Sequence, residues 1–251
     1  MQLTVIPSMG LYVRICLGVC LTITGLAIAA PDDVTFPPPI RSGGAGIFSV
    51  LQARRDVEHF EERLLHWEVI GNLLWASSGI NRPDDAARTV PVLTRPFSVV
   101  LYLLAEEGAW RYDPIGHRLE GLVHGDLREM ARAEGGRENS IQPFEEVVIQ
   151  DGVPIEGGGK APVVLLLVAS GQRLFGLDAN HTQMDDSRYM VQAALQAGHI
   201  AQNIQLVAAS EDLGVHVQLP PRESENLVQQ LELSAEEEVL LVMRLGYPAT
   251  Q

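Results

Sequence analysis

From Met190 to Gly214 the chain reads MVQAALQAGHIAQNIQLVAASEDLG, and as far as Ser210 it carries no charge when His199 is neutral. Met190, Ala194, Ala197, Ala201, Ile204 and Ala208 advance by three or four residues, the spacing of one face of an α-helix. The far side holds Gln192, Gln196, His199, Asn203 and Ser210, a stripe of neutral polar groups where a surface helix would carry charge. Such a helix is expected to be buried. Buried amides need partners, so the stripe is expected to face another subunit, a ligand or loop backbone, or else to be satisfied inside a single core.

The rest of the chain has to supply what covers this helix. With 251 residues, 46% hydrophobic and 20% charged, it is long enough for one domain with a full core. A net charge of −14 argues against nucleic acid or an anionic membrane surface as the main partner. Residues 1–30 read as an export signal: Arg14 precedes the uncharged run ICLGVCLTITGLAIAA, which ends in small residues suited to cleavage after Ala29 or Ala30. An uncleaved anchor from Leu11 to Ala30 is the alternative. Cys16 and Cys20 both lie in that segment, so the processed chain would hold no disulfide, thiolate nucleophile or cysteine metal site.

Residues 31–46, PDDVTFPPPIRSGGAG, read as a Pro/Gly-rich extended linker, and the globular domain is expected over 47–251. Helices are predicted from Phe48 to Phe60 and from Arg63 to Ser77, then a loop from Gly79 to Pro96. Phe97 to Ala105 reads as a strand turning back at Glu106-Glu107-Gly108 into Trp110-Arg111-Tyr112. A short helix is expected over His124–Ala133 and an irregular stretch over Gln142–Lys160. Ala161 to Ala169, APVVLLLVA, is the most apolar run and should be a central strand. The long helix follows, then a strand Val215–Gln218, a helix Arg222–Leu231 and a last strand Val239–Leu245. Helices and strands mix without strict alternation, which favours α+β.

Most chemical motifs are missing. There is no Gly-x-Ser-x-Gly elbow, and the run before Lys160 fails as a phosphate loop because Pro154 stands at the first glycine and Ala161 after the lysine. The seven histidines show no metal-ligand spacing, Asp178, His181, Asp185 and Asp186 read as a solvated loop, and no metal is expected. Arg54 and Arg55 are a pair that could hold a phosphate. Their other reading is a solvated helix face partnered by Asp56, Glu58 and Glu61.

Leu73–Pro91, LLWASSGINRPDDAARTVP, with Tyr112-Asp113-Pro114-Ile115-Gly116-His117-Arg118-Leu119 downstream, resembles the nitroreductase-like flavoprotein superfamily. The branch it is most similar to is the SagB/thiazole-oxidase-type dehydrogenases. Ala197–Ile204, Leu213-Gly214 and Leu245-Gly246-Tyr247-Pro248 follow in the same order, so the resemblance spans Ser49 to Pro248. It implies an α+β fold with a central mixed or antiparallel sheet flanked by helices, in an intertwined homodimer with FMN at the subunit interface. Arg54, Arg55 and Arg95 would hold the phosphate, with Pro91 and Gly214 near the flavin. The long helix becomes a spine of the dimer, with Gln192, Gln196, His199 and Asn203 placed for hydrogen bonds between subunits.

The sequence departs from the family pattern at its flavin motifs. Asp56 stands where the first motif has serine, Glu58 where it has a basic residue, Val92 where the second has serine, and Arg95 where it has asparagine. Carboxylates beside a phosphate repel it. Two functions therefore follow from the resemblance. One is an exported FMN-dependent oxidoreductase that uses an electron donor other than cytoplasmic NAD(P)H or runs an oxidative half-reaction; the other is a flavin-free dimer of the same fold with a binding or accessory role.

Overall fold

The computed structural model describes residues 30–93, 97–132, 160–170, 186–221 and 225–249. One seven-stranded sheet organises them: β1 (Val34–Thr35), β4 (Val99–Leu104), β5 (Gly108–Asp113), β6 (Arg118–His124), β7 (Val163–Ala169), β8 (Gly214–Gln218) and β9 (Glu238–Gly246). Their order is β1-β6-β5-β4-β7-β9-β8, and each neighbouring pair is antiparallel. A separate two-stranded hairpin joins β2 (Ile80–Arg82) to β3 (Ala87–Arg88). The helices are α1 (Ile47–Ala53), α2 (Trp67–Ser78), α3 (Asp186–Ser210) and α4 (Glu225–Gln230). Among the described residues no helix is long and apolar enough to cross a membrane.

The apolar run at β7 is the middle of the sheet, buried at all seven positions between β4 and β9. Alternation sends Val163, Leu165 and Leu167 to a core shared with α2 and α3, and Val164, Leu166 and Val168 to a core shared with Leu127, Ala131, Leu227 and Leu231. Both faces are covered, as an α+β layer requires. Each fully buried leucine contributes roughly 1.5–3 kcal/mol to this arrangement.

Helix α3 packs on α2 and the sheet through Ala193, Ala197, Ile200, Ala201, Ile204 and Ala208. The buried face is rotated from the predicted one at its N-terminal end: Ala194 is exposed and Ala193 buried. Nor is the whole helix buried. Val191 and Leu195 are 60% and 55% exposed, on a face that Arg188 shares at its N-terminal end.

Four expectations change. The segment 31–46 is not a free tether along its length, because its first part is docked. Pro31 and Phe36 are buried, β1 pairs with β6, the Trp110 indole donates to the Asp32 carbonyl at 3.0 Å, and Gly121 N–H donates to Asp33 Oδ1 at 2.9 Å. A Cβ at Gly121 would lie 1.7 Å from the Pro31 carbonyl oxygen, so only glycine admits this arm. Further on, Ile40 N–H donates to Asn72 Oδ1 at 3.0 Å, and the arm crosses α2. Composition read the prolines as spacing, whereas an extended backbone is also what an edge strand needs.

Second, α1 ends at Ala53, and Arg54 already has extended backbone (φ −59, ψ 125), so the predicted helix to Phe60 is half its length. The reading of Arg54 and Arg55 as a helix face with Asp56, Glu58 and Glu61 as intrahelical partners falls with it. Third, part of the helix expected over His124–Ala133 is the end of β6, followed by a single 3-10 turn at Arg128–Ala131. Fourth, α2 starts at Trp67 rather than Arg63, and the predicted loop after it contains the β2–β3 hairpin, turned by Ala86 in the left-handed region (φ 51). Most of the irregular stretch 142–160, together with Arg95, Asp178, His181 and Asp185, lies outside the described residues.

Candidate functional site

Helix α3 ends in a left-handed turn. Leu213 N–H donates back to the Ala208 carbonyl at 2.8 Å, and Asp212 takes φ 56, a conformation that aspartate tolerates better than most side chains. This turn launches β8 and forms one wall of a cleft of about 380 Å³. Ala53 and Arg55 come from the end of α1, Ala209, Asp212 and Leu213 from the turn, and Pro248 from the segment after β9. Three stretches far apart in sequence thus meet, and they carry the first motif, the end of the long helix and the Gly-Tyr-Pro.

The lip of the cleft is an extended segment laid along β8 and the chain terminus. Val57 N–H donates to Val215 O at 3.1 Å, Glu61 N–H to Tyr247 O at 2.9 Å, and Ala249 N–H to His59 O at 3.0 Å. Gly214 is needed here because a Cβ would lie 2.6 Å from Val57 Cβ; its role is to let the lip close on β8. Phe60 is buried and makes a bridge to Pro248, while the Arg63 guanidinium sits 3.7 Å from the Tyr247 ring centroid.

The two arginines are exposed and differ in engagement. Arg54 Nη1 donates to Gln205 Oε1 on α3 at 3.0 Å, and Arg55 lines the cleft. The acids that follow them turn elsewhere. Asp56 Oδ2 lies 2.8 Å from His216 Nδ1 on β8, and Asp56, Glu58 and His216 bring their polar atoms within 4.8 Å of one another. Neither acid lines the cleft. Arg244, the cross-strand neighbour of His216, lies close enough to feel Glu58 and Asp56. Burial, reinforced by Arg132, holds the Arg244 guanidinium below the usual arginine range, and the two acids oppose that shift.

Pro91 belongs to a different neighbourhood within one copy of the chain. Its carbonyl accepts from Gln196 Nε2 at 3.2 Å, while Gln196 Oε1 accepts from Ser98 N–H at 3.1 Å and from Ser98 Oγ at 2.7 Å. Asn203 Nδ2 donates to Ala76 O at 3.0 Å. The expectation that Gln196 bonds across subunits is therefore overturned, because both ends of its amide are engaged by Pro91 and Ser98 of its own chain, and the Asn203 amide nitrogen is likewise held by backbone of its own chain. His199 Nδ1 sits 2.8 Å from the Leu195 carbonyl, likewise within its own helix. Arg88 Nη1 donates to Ser78 O at 2.7 Å and its guanidinium sits 4.2 Å from the Phe97 ring centroid, which ties the hairpin to α2. Val92 and Leu93 are exposed at 41% and 39%.

From Gln196 to Ala209 the helix rises about 20 Å, so Pro91 and the Arg55 cleft lie at separate places along α3. Of the predicted site residues, Arg54, Arg55 and Gly214 come together and Pro91 stands apart. Sequence reasoning missed His216, Arg244 and Gln205. The first two share a face because β8 and β9 pair in register. No local spacing announces that; the alternation of β8 alone separates His216 from core-facing Val215.

An antiparallel sheet covered by helices, with a long helix, uncharged from Met190 to Ser210, ending at an arginine-lined cleft, is an architecture of the nitroreductase-fold class of α+β proteins. The chain belongs to the nitroreductase family, whose model matches residues 51–247. A nitroreductase from Ralstonia eutropha JMP134 has a solved structure that aligns with a TM-score of 0.68 at 28% identity, covering 87% of this chain and 90% of that one. The Escherichia coli microcin synthetase McbBCD complex shares the fold with a TM-score of 0.59 at 18% identity, over 78% of this chain and 70% of that one. A Methanocaldococcus jannaschii protein that carries the name nitroreductase is 23% identical over 171 residues, 66% of this chain and 74% of its own.

Proposed function

We propose that the chain is an FMN-dependent oxidoreductase of the SagB-type dehydrogenase class, exported from the cytoplasm and acting as an intertwined homodimer. One observation supports the reading above the others: Arg55, the end of α3 and Pro248 converge on one cleft. The residues there fit the phosphate end of a flavin nucleotide. Arg55 offers an exposed guanidinium, Arg54 precedes it in the chain with its own guanidinium on Gln205, and Ala53, Ala209, Leu213 and Pro248 supply apolar wall. Asp56 and Glu58, which break the family pattern, gather at His216 instead of lining the cleft. Asp212 is the one carboxylate of the lining, and it is exposed and so screened by solvent and salt.

In this reading Arg55 and Arg54 pair with the phosphate through charge-assisted hydrogen bonds. Leu213 and Pro248 exclude water from one side of the nucleotide. FMN supplies the hydride-transfer chemistry when bound, and the protein binds and orients it. The apolar side of α3 at Val191 and Leu195, with Phe48 of α1 at 84% exposure, needs a covering surface, and a second copy presenting the same face provides one. Arg14 and the apolar run of residues 15–30 support export.

The test mixes the purified protein with FMN, removes free flavin, and records the visible spectrum alongside the mass by light scattering. Retained flavin on a dimer, released in Arg55→Ala, is the expected result. A folded dimer that emerges colourless assigns the fold to a flavin-free binding or accessory role.

A further inference from the structure

We propose that His216 is a positioning residue for the phosphate end of this cleft: it holds the Asp56 carboxylate away from Arg54 and Arg55, so that an anion can use them. The proposal rests on the flavin reading above and adds how that site stays open despite an acid inside its own arginine motif. Asp56 directly follows Arg55. A carboxylate so placed is a natural competitor, since guanidinium binds carboxylate and phosphate with the same paired N–H geometry.

The structure removes that competitor by three contacts. Asp56 makes a parallel bridge to Val215, and Val57 N–H donates to the Val215 carbonyl at 3.1 Å, which fixes the lip in register beside the next residue of β8, His216. His216 is only 8% exposed, so its ring cannot follow Asp56 if the lip turns. Its Nδ1 then meets Asp56 Oδ2 at 2.8 Å. Behind it stands Arg244, paired across the strands with His216 and close enough to both Asp56 and Glu58 to feel their charge. The two carboxylates that replace neutral and basic residues of the family pattern are thus drawn to one histidine and one arginine on the sheet.

FMN and riboflavin separate this role from simple structural support, because they share the ring system and differ by the phosphate. In His216→Phe an aromatic ring stays in place and the hydrogen-bond donor is lost. The dissociation constant for FMN, read from quenching of flavin fluorescence, is expected to rise about tenfold while that for riboflavin stays the same, as a carboxylate returns to the anion's neighbourhood. Adding Asp56→Ser to that variant is expected to restore FMN binding, since the carboxylate that directly follows Arg55 is gone and Glu58 still faces Arg244. The single change Asp56→Ser keeps His216 in place and serves if the phenylalanine variant does not fold; it is expected to bind FMN at least as tightly as the unaltered chain.

Equal weakening for both flavins, no change in FMN binding, failure of the double variant to recover, or weaker binding in Asp56→Ser alone would each overturn the proposal. If the unaltered chain binds riboflavin but shows no preference for FMN, the phosphate site itself is absent and the proposal falls on that ground. If it binds neither, the flavin reading fails first.

Discussion

Two regions pressed against α3 solve the same problem in opposite ways. At Gln196, one fully buried amide ties Pro91 to Ser98 with three hydrogen bonds and no charge. At the lip, the exposed charges of Arg54, Asp56 and Glu58 are arranged, beside the buried His216, over a few backbone bridges. The first is intolerant, because a buried group that loses its partner keeps the full cost of desolvation. The second is adjustable, because solvent screens each charge and the backbone bridges carry the shape. The difference shows why departures from the family pattern at the lip leave the fold standing.

The contrast breaks most visibly at Gln196. Gln196→Leu strands Ser98 N–H in a dry site and leaves the more exposed Pro91 carbonyl without its donor, and is expected to cost about 2 kcal/mol in chemical denaturation. A loss near zero would mean that the clamp is no more demanding than the lip. Gly214→Val attacks the lip through shape instead of charge. Its Cβ meets Val57 at 2.6 Å, and the expected loss is about 2 kcal/mol, accompanied by faster proteolysis between Arg54 and Glu61. If the lip stays protected, its backbone bridges are not what holds it.

Asp126 and Arg128 test the ground between, being ionic like the lip but more enclosed. Asp126 accepts from Arg128 Nε and Nη2 at 2.8 Å each, and Arg128 is 9% exposed. That hydrogen bonding holds the Asp126 carboxyl below the usual aspartate range. A depressed folded-state value contributes stability above the unfolded value, near pH 4, and loses it as pH falls further. Asp126→Asn should therefore cost about 1 kcal/mol at neutral pH and flatten the acid limb of the stability profile. An unchanged acid limb would show that acid does not act through this pair. The smallest effect is expected at Asp56→Ser, within about 0.5 kcal/mol, since its side chain is 55% exposed.

Much of the fold was legible. The helix from Met190 carries its period over enough residues that no other element fits, the run at Ala161–Ala169 is apolar throughout as a strand covered on both faces is, and the ordered motifs from Leu73 to Pro248 pointed to the right family. β6 escaped notice because Arg118–His124 carries Gly121 and Glu120 in place of an apolar run. The arm escaped because proline-rich composition says extended without saying where it docks. At the site, Arg54 and Arg55 stood out in the sequence as a neighbouring pair of cations. The direction in which Asp56 and Glu58 point was not readable, because the answer depends on His216 and Arg244, brought alongside by strand register alone. Gln196 was recognised as an amide needing partners and given the wrong ones, since a periodicity shows which face a side chain is on and not what lies opposite.

The docked arm has a mechanical consequence. The bond from Trp110 to Asp32, the bond from Gly121 to Asp33, and the Phe36 ring seated against Gly71 follow one another along the chain, so a load applied at the N-terminal end reaches them in series. They would give way in turn, as a seam unpicks, and while intact they would pass the load to β6, β5 and α2 rather than to β8 at the opposite edge of the sheet. A domain leashed in this way can be tugged at its leading end without its cleft being deformed.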